Sequence, residues 1–153
     1  MKSVIRFALL LLAVCTSAGT SKAQNGNLGL GVIVGEPTGL SLKAWQSGRT
    51  ALDFGAAWSF VEDSAVHLHG DILLHRFGAT ESRNLPFYYG IGARVKMADS
   101  GGDPRVGIRF PLGLDYLFGN DPLDMFFEVV PILDVAPDSD VSLNASVGMR
   151  YWP

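Results

Sequence analysis

Three histidines and an aspartate fall within nine positions in the stretch HLHGDILLH, residues 67 to 75. Imidazole and carboxylate are ligands that a zinc-type ion accepts, and alternate positions of a strand share one face. His67, His69, Asp71 and His75 all have the same parity, so neighbours would stand about 6.6 Å apart and His69 to His75 would span roughly 20 Å. One ion cannot hold all four. His67, His69 and Asp71 are the candidates for a three-ligand site, but no fourth ligand accompanies them. The stretch therefore reads as the polar face of a strand whose groups satisfy one another, and neither a metal nor another cofactor is expected.

Other chemistries fit less well. GEPTG, residues 35 to 39, lacks the Gly-Lys-Ser/Thr continuation and the helix of a phosphate loop, so it is a β-turn with Pro37 and Gly39 at turn positions.

The N-terminus limits where the chain works. Lys2 and Arg6 precede the apolar run FALLLLAV (7 to 14), and SKAQ follows with small residues at Ser21 and Ala23. This is a secretory signal peptide, residues 1–23, leaving one domain of residues 24–153. A lipid anchor on Cys15 is disfavoured, because Val14 stands where such processing normally uses Gly, Ala or Ser. Without Lys2, Arg6 and Lys22 the domain has 9 basic and 15 acidic residues, a net charge of −6, which argues against a nucleic-acid partner. It contains no cysteine, so an exported domain must be stable without disulfides. No run after residue 23 reaches the roughly 18 apolar residues of a membrane helix, whereas strand-built membrane proteins show only alternation.

That alternation is present throughout. Turn clusters at 35–39, 46–49, 61–64, 78–86, 97–104, 119–122 and 136–140 delimit eight segments, at about 28–35, 39–45, 50–60, 65–76, 87–96, 105–118, 123–134 and 141–152. One parity, such as Leu28, Leu30, Val32, Val34 or Val141, Leu143, Ala145, Val147, Met149, is free of charge in every segment. The opposite parity carries Lys43, Asp53, Asp71, Arg94, Lys96, Arg109, Asp115, Asp124, Glu128, Asp134 and Arg150, together with nine glycines.

Eight antiparallel strands with short connections close into an up-and-down barrel, which removes sheet edges. An apolar face turned inward would make a soluble periplasmic or secreted lipocalin-like barrel for a small apolar ligand. An interior only wide enough for side chains or one small ligand would be overfilled by Phe54, Trp58, Phe60, Phe110, Tyr116, Phe118, Phe127 and some thirty aliphatic residues. The expected fold is accordingly all-β, an eight-stranded antiparallel up-and-down transmembrane β-barrel with its apolar face toward lipid. Phe87, Tyr89, Tyr116, Phe118 and Tyr151 then form an aromatic girdle at one rim, and Trp58 and Phe60 at the other. Inside, Lys43, Asp53, Asp71, Arg94, Lys96, Arg109, Asp115, Glu128 and Arg150 form an interior ionic network that plugs the barrel, since isolated buried charges are expensive. Pro111 and Pro131 fall within strands and are read as bulges.

The blocks GLGVIVGEPTGLSLKAW, FYYGIGARV, RVGIRFPLGLDYLF and FFEVVPILDVAPDSDVSLNASVGMRYW carry a resemblance over nearly the whole mature chain. The sequence resembles a family of small, largely uncharacterised bacterial outer-membrane β-barrel proteins, OmpA-like eight-stranded barrels with members in spirochaetes and other Gram-negative bacteria. The resemblance implies outer-membrane localisation without an assigned activity. The ending RYWP departs from the aromatic last residue usual in such barrels.

A lipid-modifying hydrolase would need His, Ser and an acid at the lipid-facing surface. The apolar parity offers none of them, so catalysis is not expected. Glu36, Glu62, Asp63, Asp99, Asp103, Asp138 and Asp140 lie in the outer turns as a solvated rim, or as a surface for cations or other partners. The expected role is a monomeric structural or surface-interaction protein whose partner is outer-membrane lipid.

Overall fold

The structure is a computed structural model that describes residues 27–59 and 64–153; the signal segment 1–23 and Phe60 lie outside the described residues. Residues of alternating character form strands throughout: β1 (Leu28–Glu36), β2 (Thr38–Trp45), β3 (Thr50–Ser59), β4 (Ala65–Arg76), β5 (Phe87–Ala98), β6 (Arg105–Arg109), β7 (Leu112–Leu117), β8 (Leu123–Ala136) and β9 (Asp140–Tyr151). Sequential strands pair antiparallel, except that β6 and β7 do not pair with each other, and β1 pairs with β9, so the sheet closes on itself. β6 and β7 both lie between β5 and β8. They are two halves of one stave, and the barrel has the eight staves that the turn spacing predicts.

The break between β6 and β7 falls at Phe110 and Pro111. The expectation of bulges at the two prolines is corrected here. Arg109 pairs with Ile132 and Leu112 with Val129, so the register runs unbroken past Pro111. On the other side of β8, pairing with β9 is equally regular through Pro131↔Leu143. Each proline simply costs its stave one donor. The Phe110 amide donates to the Pro131 carbonyl at 3.0 Å and the Gly90 amide to the Pro111 carbonyl at 2.9 Å, and the reciprocal bonds have no N–H to make them. The register shift lies elsewhere, between Val106 and Gly107, where β8 contributes an extra residue at Val135.

The two parities have opposite fates. Leu30, Ile72, Ile91 and Leu143 are 53–66% exposed, whereas Lys43, Asp115 and Asp124 are wholly buried. The alternative with the apolar face inward is thereby corrected: charge lines the lumen and apolar side chains coat the outside. Cross-strand neighbours such as Met149, Val32, Leu40, Ala56 and Leu68 follow one another around the wall, so the apolar coat is continuous from stave to stave. The start of β1 and the end of β9 lie at one rim, beside the β2–β3, β4–β5 and β7–β8 connections.

Candidate functional site: the charged lumen

Closing the barrel brings inward side chains from distant strands together along its axis. Nearest the rim where β1 starts and β9 ends, Lys43 on β2 pairs with Asp115 on β7 and lies 2.9 Å from His75 Nε2 on β4. Its ammonium also lies 4.9 Å from the centre of the Trp45 ring and 5.3 Å from that of Tyr88, distances at which the ring faces attract a cation. Trp152 folds across this rim: its indole N–H donates to Asp124 at 3.0 Å, and its ring stands 6.4 Å from Trp45.

Further in, Arg150 on β9 holds three carboxylates at once. Its guanidinium lies 3.3 Å from Asp124, 3.4 Å from Asp53 and 3.6 Å from Asp115. It also donates to Ser41 Oγ at 3.0 Å and stacks 3.9 Å over the Phe126 ring. Arg109 on β6 bonds Asp71 at 3.0 Å and Glu128 at 3.4 Å, and the Tyr88 hydroxyl donates to Glu128 at 2.8 Å. Arg94 on β5 makes two bonds to Asp134, at 2.8 and 3.1 Å, and one to Ser142 at 3.2 Å.

Glycine makes these approaches possible. A Cβ at Gly31 would strike Arg150, at Gly55 the His69 ring, at Gly92 the Asp71 carboxylate, at Gly113 the Tyr88 ring and at Gly148 the Phe126 ring. Small residues on one stave leave room for long side chains from the next. The polar-parity glycines and the charged residues are two halves of one packing arrangement.

Toward the far rim the lumen opens into a polar cavity of about 300 Å³, lined by His67, Arg94, Lys96, Arg105 and Asn144 among others. At its mouth the Ser59 hydroxyl donates to the Glu36 carboxylate.

The three residues singled out for metal binding do not converge. His69 and Asp71 approach Asp53, which the register places directly across from Asp71. One ligand atom from each of Asp53, His69 and Asp71 lies within 4.8 Å of the others. His67 instead faces Lys96 across the β4–β5 ladder, on the cavity side. Asp53 is the residue that the reading of residues 67 to 75 missed, because strand pairing and not local spacing brings it in. Tyr88, Trp45, Phe126 and Trp152 were missed as well. Tyr88 and Phe126 have the inward parity, and that parity was the available signal.

On the outside, Tyr116 and Phe118 meet edge-on with ring centres 4.9 Å apart, and Phe87 and Tyr89 lie 6.2 Å apart. Tyr151 pairs with Leu123 and Leu30 near the same rim. Trp58 stands near the opposite end of its stave, paired with Thr38 and Val66, and is 47% exposed.

This architecture is that of the small closed antiparallel β-barrels. The chain is similar in structure to the N-terminal β-barrel domain of Pseudomonas aeruginosa OprF, with a TM-score of 0.63 and 14% sequence identity over 84% of this chain and 98% of that one. The likeness is one of fold. No protein-family model and no curated protein matches the sequence.

Proposed function

We propose that the protein is an integral outer-membrane barrel of structural or surface-interaction role, plugged by its own side chains and without catalytic activity. The observation that carries this reading is the pairing of an exposed apolar coat on every stave with a lumen of buried ion pairs. Water would penalise such a coat, since soluble monomers rarely expose large contiguous apolar patches. The dimensions support it: a 12-residue stave such as β4 or β9, rising about 3.3 Å per residue and tilted near 45°, rises roughly 28 Å, close to the height of a barrel's apolar band. Tyr116, Phe118, Phe87, Tyr89 and Tyr151 at one rim and Trp58 at the other suit the two interfaces of a bilayer.

Plugging rests on the lumen's cross-section. Lys43, Arg150, Asp53, Asp115 and Asp124 come from five different staves and leave almost no exposed surface between them. The three imidazoles and the buried carboxylates Asp53, Asp71, Asp115, Asp124, Glu128 and Asp134 face this lumen, away from lipid substrates.

The test is the mobility of membrane-extracted protein on a gel with and without boiling, together with a carbonate wash of the membranes. A wash-resistant protein whose unboiled form migrates faster is expected. A freely soluble protein with no heat-dependent shift would overturn the membrane assignment. In planar bilayers the same preparation is expected to give no steady conductance, and a stable open channel would overturn the plug.

A further inference from the structure

β9 outruns the strand it closes against. It pairs with β8 along its whole length, from Asp134↔Asp140 to Leu123↔Tyr151. With β1 it pairs only from Tyr151 to Ala145, because β1 ends at Glu36. There the chain turns away: Thr38 Oγ1 accepts a hydrogen bond from the Gly35 amide at 3.2 Å and donates one to the Gly35 carbonyl at 2.8 Å. Pro37 follows Glu36 with no N–H to offer. Asp140–Asn144 therefore stands beyond this turn as a free strand edge, roughly 16 Å long.

The ladder fixes which groups face the gap. Just past β9, the Trp152 amide donates to the Pro122 carbonyl on the β8 side, and successive residues of a strand point N–H and C=O to alternate sides. Even-numbered residues of β9 thus bond β8, and odd-numbered ones bond β1. Ala145 is the last of the latter with a partner, Glu36. Leu143 and Val141 aim their backbone groups into the gap. The Val141 amide donates to the Asp140 carboxylate at 2.9 Å. The Val141 carbonyl and both groups of Leu143 have no ladder partner on this side among the described residues. Val141 and Leu143 are also the most exposed large apolar side chains among the described residues, at 74% and 66%. Although their parity is outward, they line the far-rim cavity together with inward Ser142 and Asn144. The cavity therefore reaches past the strand edge to the outside of the wall.

We propose that this edge docks an extended segment of another polypeptide, which continues the β1 column of the β1–β9 ladder beside Val141 and Leu143. Backbone donors and acceptors set out at strand spacing are matched by the backbone of an added strand and not by an acyl chain. Outward side chains of that segment are apolar, to lie against Val141 and Leu143. Inward ones are polar, to enter a cavity lined by Ser59, Arg94, Ser142 and Asn144. The proposal deepens the surface-interaction reading and rests on the closed barrel that reading requires, so the gel shift reports on the barrel and the measurements below report on the edge.

Hydrogen exchange of the folded, detergent-extracted protein is the first measurement. The Leu143 amide is expected to exchange about 100-fold faster than the Val147 amide, which faces Val34 in the ladder. Equal protection of the two would show the edge already filled and would overturn the proposal, and protection that rises with protein concentration would assign the edge to a second copy and overturn it too. The probe for strand addition is a labelled peptide, acetyl-Thr-Val-Ser-Val-Thr-amide. Saturable binding that protects the Leu143 amide is expected. Methylating the valine nitrogens, which face β9, is expected to weaken binding roughly tenfold, whereas methylating the serine nitrogen, which faces away, leaves it within about threefold. Leu143→Pro removes one edge donor at a strand position where proline is tolerated, and is expected to weaken binding roughly tenfold with the heat-dependent gel shift intact. No saturable binding, or equal binding of the two methylated peptides, would overturn the proposal without recourse to any protein variant.

Discussion

Arg150 shows how much of the interior depends on one side chain. Its guanidinium lies among Asp53, Asp115 and Asp124 while its plane covers the Phe126 ring. Arg150→Ala would leave three buried carboxylates facing one another, and breaking a buried pair this way costs about 3–5 kcal/mol. The expected result is a large fall in the urea midpoint at which the compact gel form is lost. Arg105 offers the contrast: it lies 3.8 Å from Asp140, and both side chains are about half exposed. Arg105→Ala should therefore change stability by less than about 1 kcal/mol. Equal effects of the two substitutions would contradict the ion-paired core. At this scale the sequence exposes much, because parity alone separates Lys43, Asp53, Asp71, Arg94, Arg109, Asp115, Glu128 and Arg150 from the apolar face. It does not expose partnership. Arg150 and Asp53 are 97 positions apart and meet only because the staves close into a ring.

At the scale of the element, the β6–β7 stave and β8 face each other with prolines on both, and the ladder keeps its register past each of them. Pro131→Val would supply an N–H toward the Phe110 carbonyl, opposite the existing bond from the Phe110 amide to residue 131. A gain of about 0.5–1.5 kcal/mol is expected, with slower hydrogen exchange at Val130 and Ile132. A destabilised variant would mean that the proline ring's packing outweighs the missing bond. Turn clusters and alternation were enough to delimit all eight staves, but not the true irregularity. Proline draws the eye as a ladder breaker, whereas the extra residue at Val135 sits in an ordinary alternating run, with no Gly or Pro at that position. Register is a property of two strands together, and neither strand alone records it.

At the scale of the whole molecule, the three tryptophans occupy different surroundings. Trp45 and Trp152 lie tilted toward each other at the mouth of the lumen where β9 ends, while Trp58 projects from the outer wall at the opposite rim. In vesicles containing brominated lipid, Trp58 should supply most of the fluorescence that bromine quenches, and Trp58→Phe should abolish most of that quenching. Undiminished quenching in that variant would place a different part of the surface against lipid.

The seam between β1 and β9 also governs when the fold can exist. Leu30 pairs with Tyr151, so the first stave waits for the last before either has both neighbours. Contacts between such distant parts of a chain form late and slowly. Until they form, two unpaired edges and the entire apolar coat are open to other chains, the condition in which sheets join edge to edge. Loss of β9 should consequently yield no smaller barrel but an insoluble sheet, and successful biogenesis demands that the growing chain be sheltered until the twelve residues of β9 arrive.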